Sequence, residues 1–282
     1  MKIGILGGTG LDDPDILYTR SELVFDSSVT KLGANGHPAD YGDPSDNLIA
    51  GSIGGVDCCI LARHGRKHQW NPSNINYRAN FLALKQAGCD LVIATHSVGS
   101  LVEEYKPGDF VLLDQLIDRT NRRDLTFYDN KETSWPGVYH ACFGDPYDIK
   151  LRQVVLDASL EIGFPLNKSG TCVAIEGPRF SSRAESLLFK QWGCHLIGMT
   201  QVPEAQLAKE LDLPFIAIAM VTDYDAWKVD TEPASVAEII KTLKNNGDKM
   251  IKFLKKLIPM IAAAAAEKKQ WREEKQANEG ML

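Results

Sequence analysis

Two carboxylates stand two positions apart after a buried run in the last third of the chain. Asp223 and Asp225 follow the nearly continuous apolar run 215–221, which is rich in Ile, Ala and Val. Such a run is typical of a strand that is buried on both faces. If the chain stays extended, these two residues share a face, and their mutual repulsion raises the pKa of one carboxyl. The pattern predicts a general acid beside a carboxylate that stays ionised.

Groups suited to bind an anion follow three other predicted strands. Thr9 lies in a glycine-rich turn after the strand 2–6, Arg63 follows the strand 56–62, and the turn at His96 and Ser97 follows the strand 91–95. Backbone N–H groups of a glycine turn, a hydroxyl and an arginine fork are all suited to phosphate. Ligands of open α/β sheets bind outside the carboxyl ends of the strands. We therefore expect an anion site near the two aspartates.

Each of these segments also has a simpler interpretation. The glycine turn can be only a tight turn, and Arg63 can be a salt-bridged surface residue. Gly4, Gly7 and Gly10 also fit a dinucleotide-binding spacing, but that motif needs a long helix directly after the glycines. Pro14 and the two aspartates before it interrupt such a helix, so the spacing favours a single anion over a dinucleotide.

The segment 176–185 has the composition of a binding loop. Gly177 and Pro178 force a turn, and Phe180 is exposed there unless it covers a flat ligand. Ser181 and Ser182 can cap the helix that follows, which is their simpler role. Two further candidates are less specific: Met199 and Thr200 end another strand, and His140 follows the long polar loop 119–138.

Composition indicates an ordinary globular protein. The chain has 282 residues, 44% of them hydrophobic and 24% charged, and a net charge of -6. This charge gives no reason to expect nucleic acid or an anionic membrane as a partner. The six cysteines have no C-x-x-C spacing and the histidines no zinc-like spacing, so we expect no metal site. With no apolar segment of about 20 residues, a soluble protein of a reducing compartment is expected.

Strands that alternate with helical segments predict an α/β fold. Two strands, 49–53 and 56–62, turn at Gly54 and Gly55 and make the sheet mixed. We expect one domain over residues 1–262, with a twisted mixed central β-sheet flanked by helices, and a frayed helical tail over 263–282. Residues 27–47 are expected to form a surface loop, and residues 96–100 a tight turn.

Several motifs, in this order along the chain, resemble the trimeric purine nucleoside phosphorylase superfamily, and most closely its 5′-methylthioadenosine phosphorylase branch. They are Gly7-Gly-Thr-Gly10, Ala62-Arg-His-Gly-Arg66, Glu176-Gly-Pro-Arg-Phe-Ser-Ser-Arg-Ala-Glu-Ser186, Met199-Thr200, Pro203-Glu204 and Ala219-Met-Val-Thr-Asp-Tyr-Asp225. The resemblance runs from about residue 2 to about residue 259.

The resemblance implies a reaction. Inorganic phosphate, as co-substrate, attacks the anomeric carbon of methylthioadenosine, and adenine and 5-methylthioribose-1-phosphate are formed without a cofactor. It also implies a homotrimer, and with the composition it implies a cytoplasmic enzyme, or a nuclear one.

The resemblance also assigns roles by position. The phosphate site would comprise Thr9, Arg63, His64, His96, Ser97 and Thr200. The purine would contact Phe180, Ser181, Asp223 and Asp225, with Asp223 at N7, and the ribose would contact Met199. The 5′ substituent would contact Val236, Ile239 and Ile240, together with His140 from a neighbouring subunit.

Elementary chemistry agrees with the role of the aspartates. A purine leaves as an anion unless N7 is protonated, and an acid there lowers the barrier by roughly 10²–10⁴-fold in rate. A 6-amino group donates hydrogen bonds to a carboxylate, so two aspartates favour adenine over hypoxanthine. Val236, Ile239 and Ile240 share one helical face, which can equally be plain core.

One position departs from the family pattern, and four functions stay open. The superfamily usually has a small hydroxyl residue or alanine where this chain has His96. A histidine there can donate to phosphate as a cation or crowd it. Besides methylthioadenosine phosphorolysis, the alternatives are a phosphorylase of 6-oxopurine nucleosides or methylthioinosine, an NAD-dependent enzyme based on the glycines, and a non-catalytic binder.

Overall fold

The computed structural model describes residues 1–8, 14–24, 40–132, 134–229 and 236–267. Within them, one eleven-stranded mixed sheet has helices on both faces, which confirms the predicted single-domain α/β fold. The strands are β1 Lys2–Gly7, β2 Tyr18–Leu23, β3 Leu48–Ile53, β4 Val56–Ala62, β5 Leu91–Ser100, β6 Phe110–Leu112, β7 Gln115–Arg119, β8 Leu166–Asn167, β9 Thr171–Ile175, β10 Leu196–Gly198 and β11 Phe215–Tyr224. The helices are α1 Tyr77–Gln86, α2 Ile149–Ile162, α3 Arg183–Gln191, α4 Gln201–Glu210 and α5 Val236–Glu267, and Pro14–Ile16 forms one 3-10 turn.

Strand β5 is the centre of the sheet. It pairs in parallel with β1 and with β11, and its last residues pair antiparallel with β10. On the β1 side the order continues through β4, β3 and β2, and on the β10 side through β9 and β7. The predicted hairpin is present, since β3 and β4 are antiparallel and Gly54 and Gly55 take the positive φ angles of +57° and +80° that the turn needs.

Strand β11 is buried on both faces, as its apolar run predicts. Phe215, Ala217, Ala219 and Val221 belong to the core cluster that contains α1 and α4 residues. The alternate residues 216, 218 and 220 belong to the cluster on the opposite face, which contains residues of α2 and α5. The period of two therefore anchors the strand in two cores, and a register shift between Val221 and Asp223 precedes the end of the strand.

The predicted turn at 96–100 is wrong. Strand β5 continues to Ser100, because β11 pairs with it as far as Tyr224, with a register shift between Val221 and Asp223 that sets Asp223 opposite Gly99. Strands β2 and β7 were not predicted: their sequences are mostly polar, and β2 is largely exposed. In the loop predicted over 27–47, residues 27–39 lie outside the described part, and residues 40–47 form no strand or helix.

Helix α5 continues five residues past the predicted domain end, to Glu267. The remaining residues, 268–282, lie outside the described part, so the division at residue 262 stays a prediction. Among the described helices, none is both long enough and apolar enough to cross a membrane.

The segment that follows β7 is tied to the sheet by a buried arginine. The side chain of Arg123 is 1% exposed. It donates hydrogen bonds to the backbone oxygens of Glu176, Met199 and Val202, which follow β9 and β10. One planar side chain therefore fixes the segments after two strands, which also form one wall of the pocket described below.

Replacement of Arg123 by lysine should destabilise the fold by about 2–3 kcal/mol, because an ammonium group cannot reach all three carbonyls and leaves some of them buried and unpaired. Urea unfolding measures the change. The matched control is Arg122→Lys at the exposed neighbouring position, for which we expect less than about 0.5 kcal/mol. Equal effects of the two substitutions would contradict this role of Arg123.

Candidate active site

A pocket of about 500 Å³ opens where the carboxyl ends of β1, β4, β5, β9, β10 and β11 meet. It brings together most of the residues that the sequence singled out. These are Arg63, His64, Ser97, Phe180, Ser181, Met199, Thr200, Asp223 and Asp225. The pocket is also lined by residues that were not predicted, including Gly8, His68, Trp70, Asn71, Thr222 and Leu243.

Both aspartates line this pocket, as the strand pattern predicts. Asp225 accepts a hydrogen bond from the Ser181 hydroxyl at 2.9 Å, and its own N–H donates to the Ser100 carbonyl. Asp223 Oδ1 lies 2.5 Å from the Thr222 hydroxyl. Phe180 is 73% exposed at the mouth, where its ring is available to cover a flat ligand.

One of the two carboxyls has a raised pKa, but the cause differs from the one predicted. Burial raises the pKa of Asp223 to about 6, while the Thr222 hydroxyl opposes this and the charge of Asp225 adds a smaller increase. Desolvation, rather than repulsion between the aspartates, is the main cause. Near neutral pH, Asp223 therefore exchanges a proton readily while it faces the pocket.

Ser181 and Ser182 each have one of the two predicted roles, contact with the pocket and capping of a helix. Ser182 caps α3, and together with Glu185 it forms a capping box. Ser181, one residue earlier, is left to contact Asp225 in the pocket.

Arg63 lies in the wall of the pocket, but its fork does not face open space. The side chain is fully buried, and it pairs through Nε and Nη2 with the two carboxylate oxygens of Glu204 in α4. Its Nη1 donates to the Thr95 carbonyl at 2.9 Å. The edge of the fork formed by Nε and Nη2 is therefore used by Glu204 and is not open to phosphate. Arg63 contributes a fixed positive charge, and its role in binding phosphate stays a prediction.

His64 lines the pocket as a neutral ring. Its Nδ1 lies 2.8 Å from the Trp70 carbonyl, which can only accept, so Nδ1 carries the proton. Burial, together with the charge of Arg63, lowers the pKa of His64 to about 4. The ring also stacks on His68, with 4.6 Å between the ring centres.

His96 lies behind the pocket rather than in it. Its side chain is 1% exposed, on the face of β5 that α4 covers. Its Nδ1 lies 2.9 Å from the Thr200 hydroxyl, and its Nε2 lies 3.4 Å from Glu204 Oε2. Burial and the nearby Arg63 hold the pKa of His96 well below its usual value. A cationic histidine at this position is therefore not supported.

The other predicted site residues are not part of this pocket as described. His140 is exposed on the outer surface, and Ile240 is 60% exposed and does not line the pocket. Thr9 and the side chains of Val236 and Ile239 lie outside the described residues. Leu243, one turn after Ile240 on the same helix, does line the pocket, and the predicted apolar face of α5 could have been extended to it.

The described residues contain no cluster of three or more His, Cys, Asp or Glu side chains that could hold a metal ion. The polar groups of the pocket include hydroxyls, carboxylates, the neutral imidazole of His64 and the guanidinium of Arg63, which suits hydrogen bonding and proton transfer to an organic ligand.

The family description of a class of enzymes, the phosphorylase superfamily, matches residues 2–259 of this chain. S-methyl-5′-thioadenosine phosphorylase from Danio rerio is 51% identical over 93% of this chain and 89% of its own length. The methylthioadenosine phosphorylase of Schistosoma mansoni in complex with adenine superimposes with a TM-score of 0.85, at 36% identity, over 93% of this chain and 92% of that one.

A variant of the adenosine/methylthioadenosine phosphorylase of the same organism, in complex with methylthioadenosine, has a TM-score of 0.83 at 36% identity over the same 93% of this chain and 92% of that one. The chain belongs to the S-methyl-5′-thioadenosine phosphorylase family of this superfamily.

Replacement of Asp223 by asparagine should stabilise the fold at neutral pH. The usual aspartate pKa of 3.8 rises to about 6 on folding. The folded state therefore binds more protons between these pH values, and stability falls as pH rises through this window. Removal of the charge should add about 1–2 kcal/mol above pH 6 and nothing near pH 3.5, after allowance for partial exposure.

Urea unfolding at pH 7.5 and at pH 3.5 measures this change in the free energy of unfolding. Asp57→Asn, at an exposed position, serves as a control with little expected effect. A variant that is less stable than the parent at pH 7.5 would show that burial does not oppose ionisation of Asp223.

Proposed function

We propose that this chain catalyses the phosphorolysis of 5′-methylthioadenosine to adenine and 5-methylthioribose-1-phosphate, as a pentosyltransferase of purine and methionine salvage. One observation carries the proposal: a single pocket places a carboxyl of raised pKa, Asp223, together with His64, Ser97 and Thr200. The names of the relatives, and the adenine and methylthioadenosine bound in solved structures of the family, support the same substrate.

At the purine end, Asp223 holds the proton that N7 needs when the glycosidic bond breaks. The raised pKa of Asp223 supports this role. An acid with a pKa near the working pH is partly protonated and can transfer its proton. Asp225 accepts from the 6-amino group, and Ser181 orients Asp225 through their hydrogen bond. Phe180 covers the base.

At the other end, Thr200, Ser97 and His64 bind phosphate, and Thr9 completes the site. Arg63 acts through its charge, since its fork is held by Glu204. His96 contacts phosphate only indirectly, through Thr200. Attack of phosphate on the anomeric carbon develops positive charge on the ribose, and the phosphate itself is the nearest counter-charge.

Met199 lies under the ribose. Val236, Ile239 and Ile240 line the space for the methylthio group, and Leu243 extends this apolar wall. His140 is exposed in one chain, which fits a role in the pocket of a neighbouring subunit of a homotrimer. We further propose that the enzyme needs no cofactor or metal and works in the cytoplasm, or also in the nucleus. Sedimentation velocity and cell fractionation test the trimer and the location.

The alternatives are less well supported. A 6-oxopurine presents an acceptor at position 6, which two carboxylates would repel. The family names do not favour inosine or methylthioinosine as the substrate, nor an NAD-dependent enzyme or a binder without activity.

Release of adenine from methylthioadenosine should require phosphate. We expect turnover to fall at least about 100-fold in phosphate-free buffer, because without phosphate only water remains as nucleophile and it lacks the positioned charge. Methylthioadenosine, adenosine and inosine should be compared side by side, with methylthioadenosine the best and inosine the poorest substrate. Unchanged release without phosphate, or preference for inosine, would contradict the proposal.

The value of kcat/KM for methylthioadenosine at saturating phosphate should fall as pH rises above about 6, because the proton on Asp223 is lost. Asp223→Asn should lower kcat/KM by about 10²–10³-fold and abolish this decline. Asp225→Asn, as the comparison, should lower activity but keep the decline. Persistence of the same pH profile in Asp223→Asn would rule out Asp223 as the acid.

A further inference from the structure

The hydroxyl of Thr200 is committed to His96 rather than to the helix that it begins. Thr200 occupies the N-cap position of α4, where a threonine hydroxyl usually accepts from a backbone N–H of the first turn. It makes no such bond here. The first turn is irregular at Val202 and Pro203, and the hydroxyl lies 2.9 Å from His96 Nδ1.

The surroundings of His96 determine which ring nitrogen carries the proton. Its Nε2 lies 3.4 Å from Glu204 Oε2, although the two are not aligned as a hydrogen bond. Glu204 is paired with Arg63, which keeps its charge in proteins, and a neutral Glu204 would leave a fully buried cation without its counter-ion.

A lone pair on Nε2 facing this carboxylate would be repelled, whereas an N–H is attracted. The proton therefore lies on Nε2. With that tautomer, Nδ1 is an acceptor, and the Thr200 hydroxyl must donate to it. Arg63, His64 and Glu204 are the charged or titratable groups around the ring. Burial, with Arg63 and His64, keeps His96 neutral.

A hydroxyl that donates to His96 has only lone pairs left for the pocket. His64 is in the same situation, since its Nδ1–H is used by the Trp70 carbonyl and its Nε2 is an acceptor. Two of the side chains at the phosphate end therefore accept hydrogen bonds. An unprotonated phosphate oxygen has no proton to give them, whereas a P–OH group does. One P–OH group donates to one acceptor, so two acceptors need the two P–OH groups of the monoanion.

We propose that His96 is a positioning residue that fixes the direction of the Thr200 hydroxyl, so that the pocket binds inorganic phosphate as the monoanion, whose two P–OH groups donate to Thr200 and His64. The inference rests on the proposed function for the identity of the ligand. It also accounts for the histidine at position 96, where the superfamily usually has a small hydroxyl residue or alanine. The His96 side chain lies behind Thr200 and determines the direction of the Thr200 hydrogen bond, without contacting phosphate itself.

Steady-state kinetics of two single variants and of the double variant test whether His96 acts on phosphate through its hydrogen bond with Thr200. His96→Gln cannot place an acceptor at the Nδ1 position, and Thr200→Val removes the hydroxyl. Each should raise the KM for phosphate by about tenfold and change the KM for methylthioadenosine less than about twofold. The double variant should be no worse than Thr200→Val alone, because His96 acts only through that hydroxyl. His96→Asn, which can keep an acceptor near Nδ1, should recover most of the affinity for phosphate.

Additive effects of the two substitutions, or an equal rise in both KM values, would show that His96 is only a packing residue and overturn the proposal. The same assays distinguish failure of the proposed function from failure of this inference. If the parent enzyme shows no phosphate-dependent release of adenine, the function fails; if it does and His96→Gln has the parental KM for phosphate, only this inference fails.

A second measurement uses the unaltered protein and so does not depend on how the variants fold. Inorganic phosphate is titrated into the enzyme by calorimetry, in two buffers of different ionisation enthalpy, at a pH above the second pKa of phosphate. The dianion that prevails at this pH carries one P–OH group, so binding as the monoanion, with two, should take up close to one proton per phosphate. Binding without proton uptake would show that the dianion is the bound form, and would overturn the proposal.

Discussion

The buried ion pair between Arg63 and Glu204 is the interaction on which the rest of the site depends. Arg63 follows β4, its fork holds the carboxylate of Glu204 in α4, and its remaining donors reach the carbonyls of Thr95 in β5 and Leu6 in β1. A charge taken out of water is costly unless it is paired and hydrogen-bonded, so these partners cannot be exchanged freely. The pair thereby fixes how four elements meet at the floor of the pocket.

The same pair explains several local features around it. A Cβ atom at Gly8 would lie 2.6 Å from Arg63 Nη1, so glycine is required beside the guanidinium. Burial and the positive charge lower the pKa of both His64 and His96, and the carboxylate decides which nitrogen of His96 is protonated. Around Thr200 the site thus has neutral imidazoles beside one fixed cation. The other end of the pocket has carboxylates, and there burial raises the pKa of Asp223.

The sequence was informative where a local pattern determines the structure. The period of two in β11 and its apolar run place Asp223 and Asp225 correctly at the end of a doubly buried strand. It was uninformative where the decisive partner is remote. The fork of Arg63 looks available for phosphate until α4 brings Glu204 to it, 141 positions further along the chain. His96 looks like part of a turn because small residues follow it, but pairing with β11 keeps that segment extended. Arg123 has no local signature, since its acceptors are carbonyls of other segments.

The central claim is that one pocket holds an aminopurine at the aspartates and phosphate at the opposite end, near Thr200. A crystal structure with an unreactive analogue of methylthioadenosine and phosphate tests it most directly. We expect N7 within hydrogen-bond distance of Asp223, the 6-amino group near Asp225, and phosphate beside Thr200, Ser97 and His64. A purine bound away from Asp223, or phosphate bound outside this pocket, would contradict it.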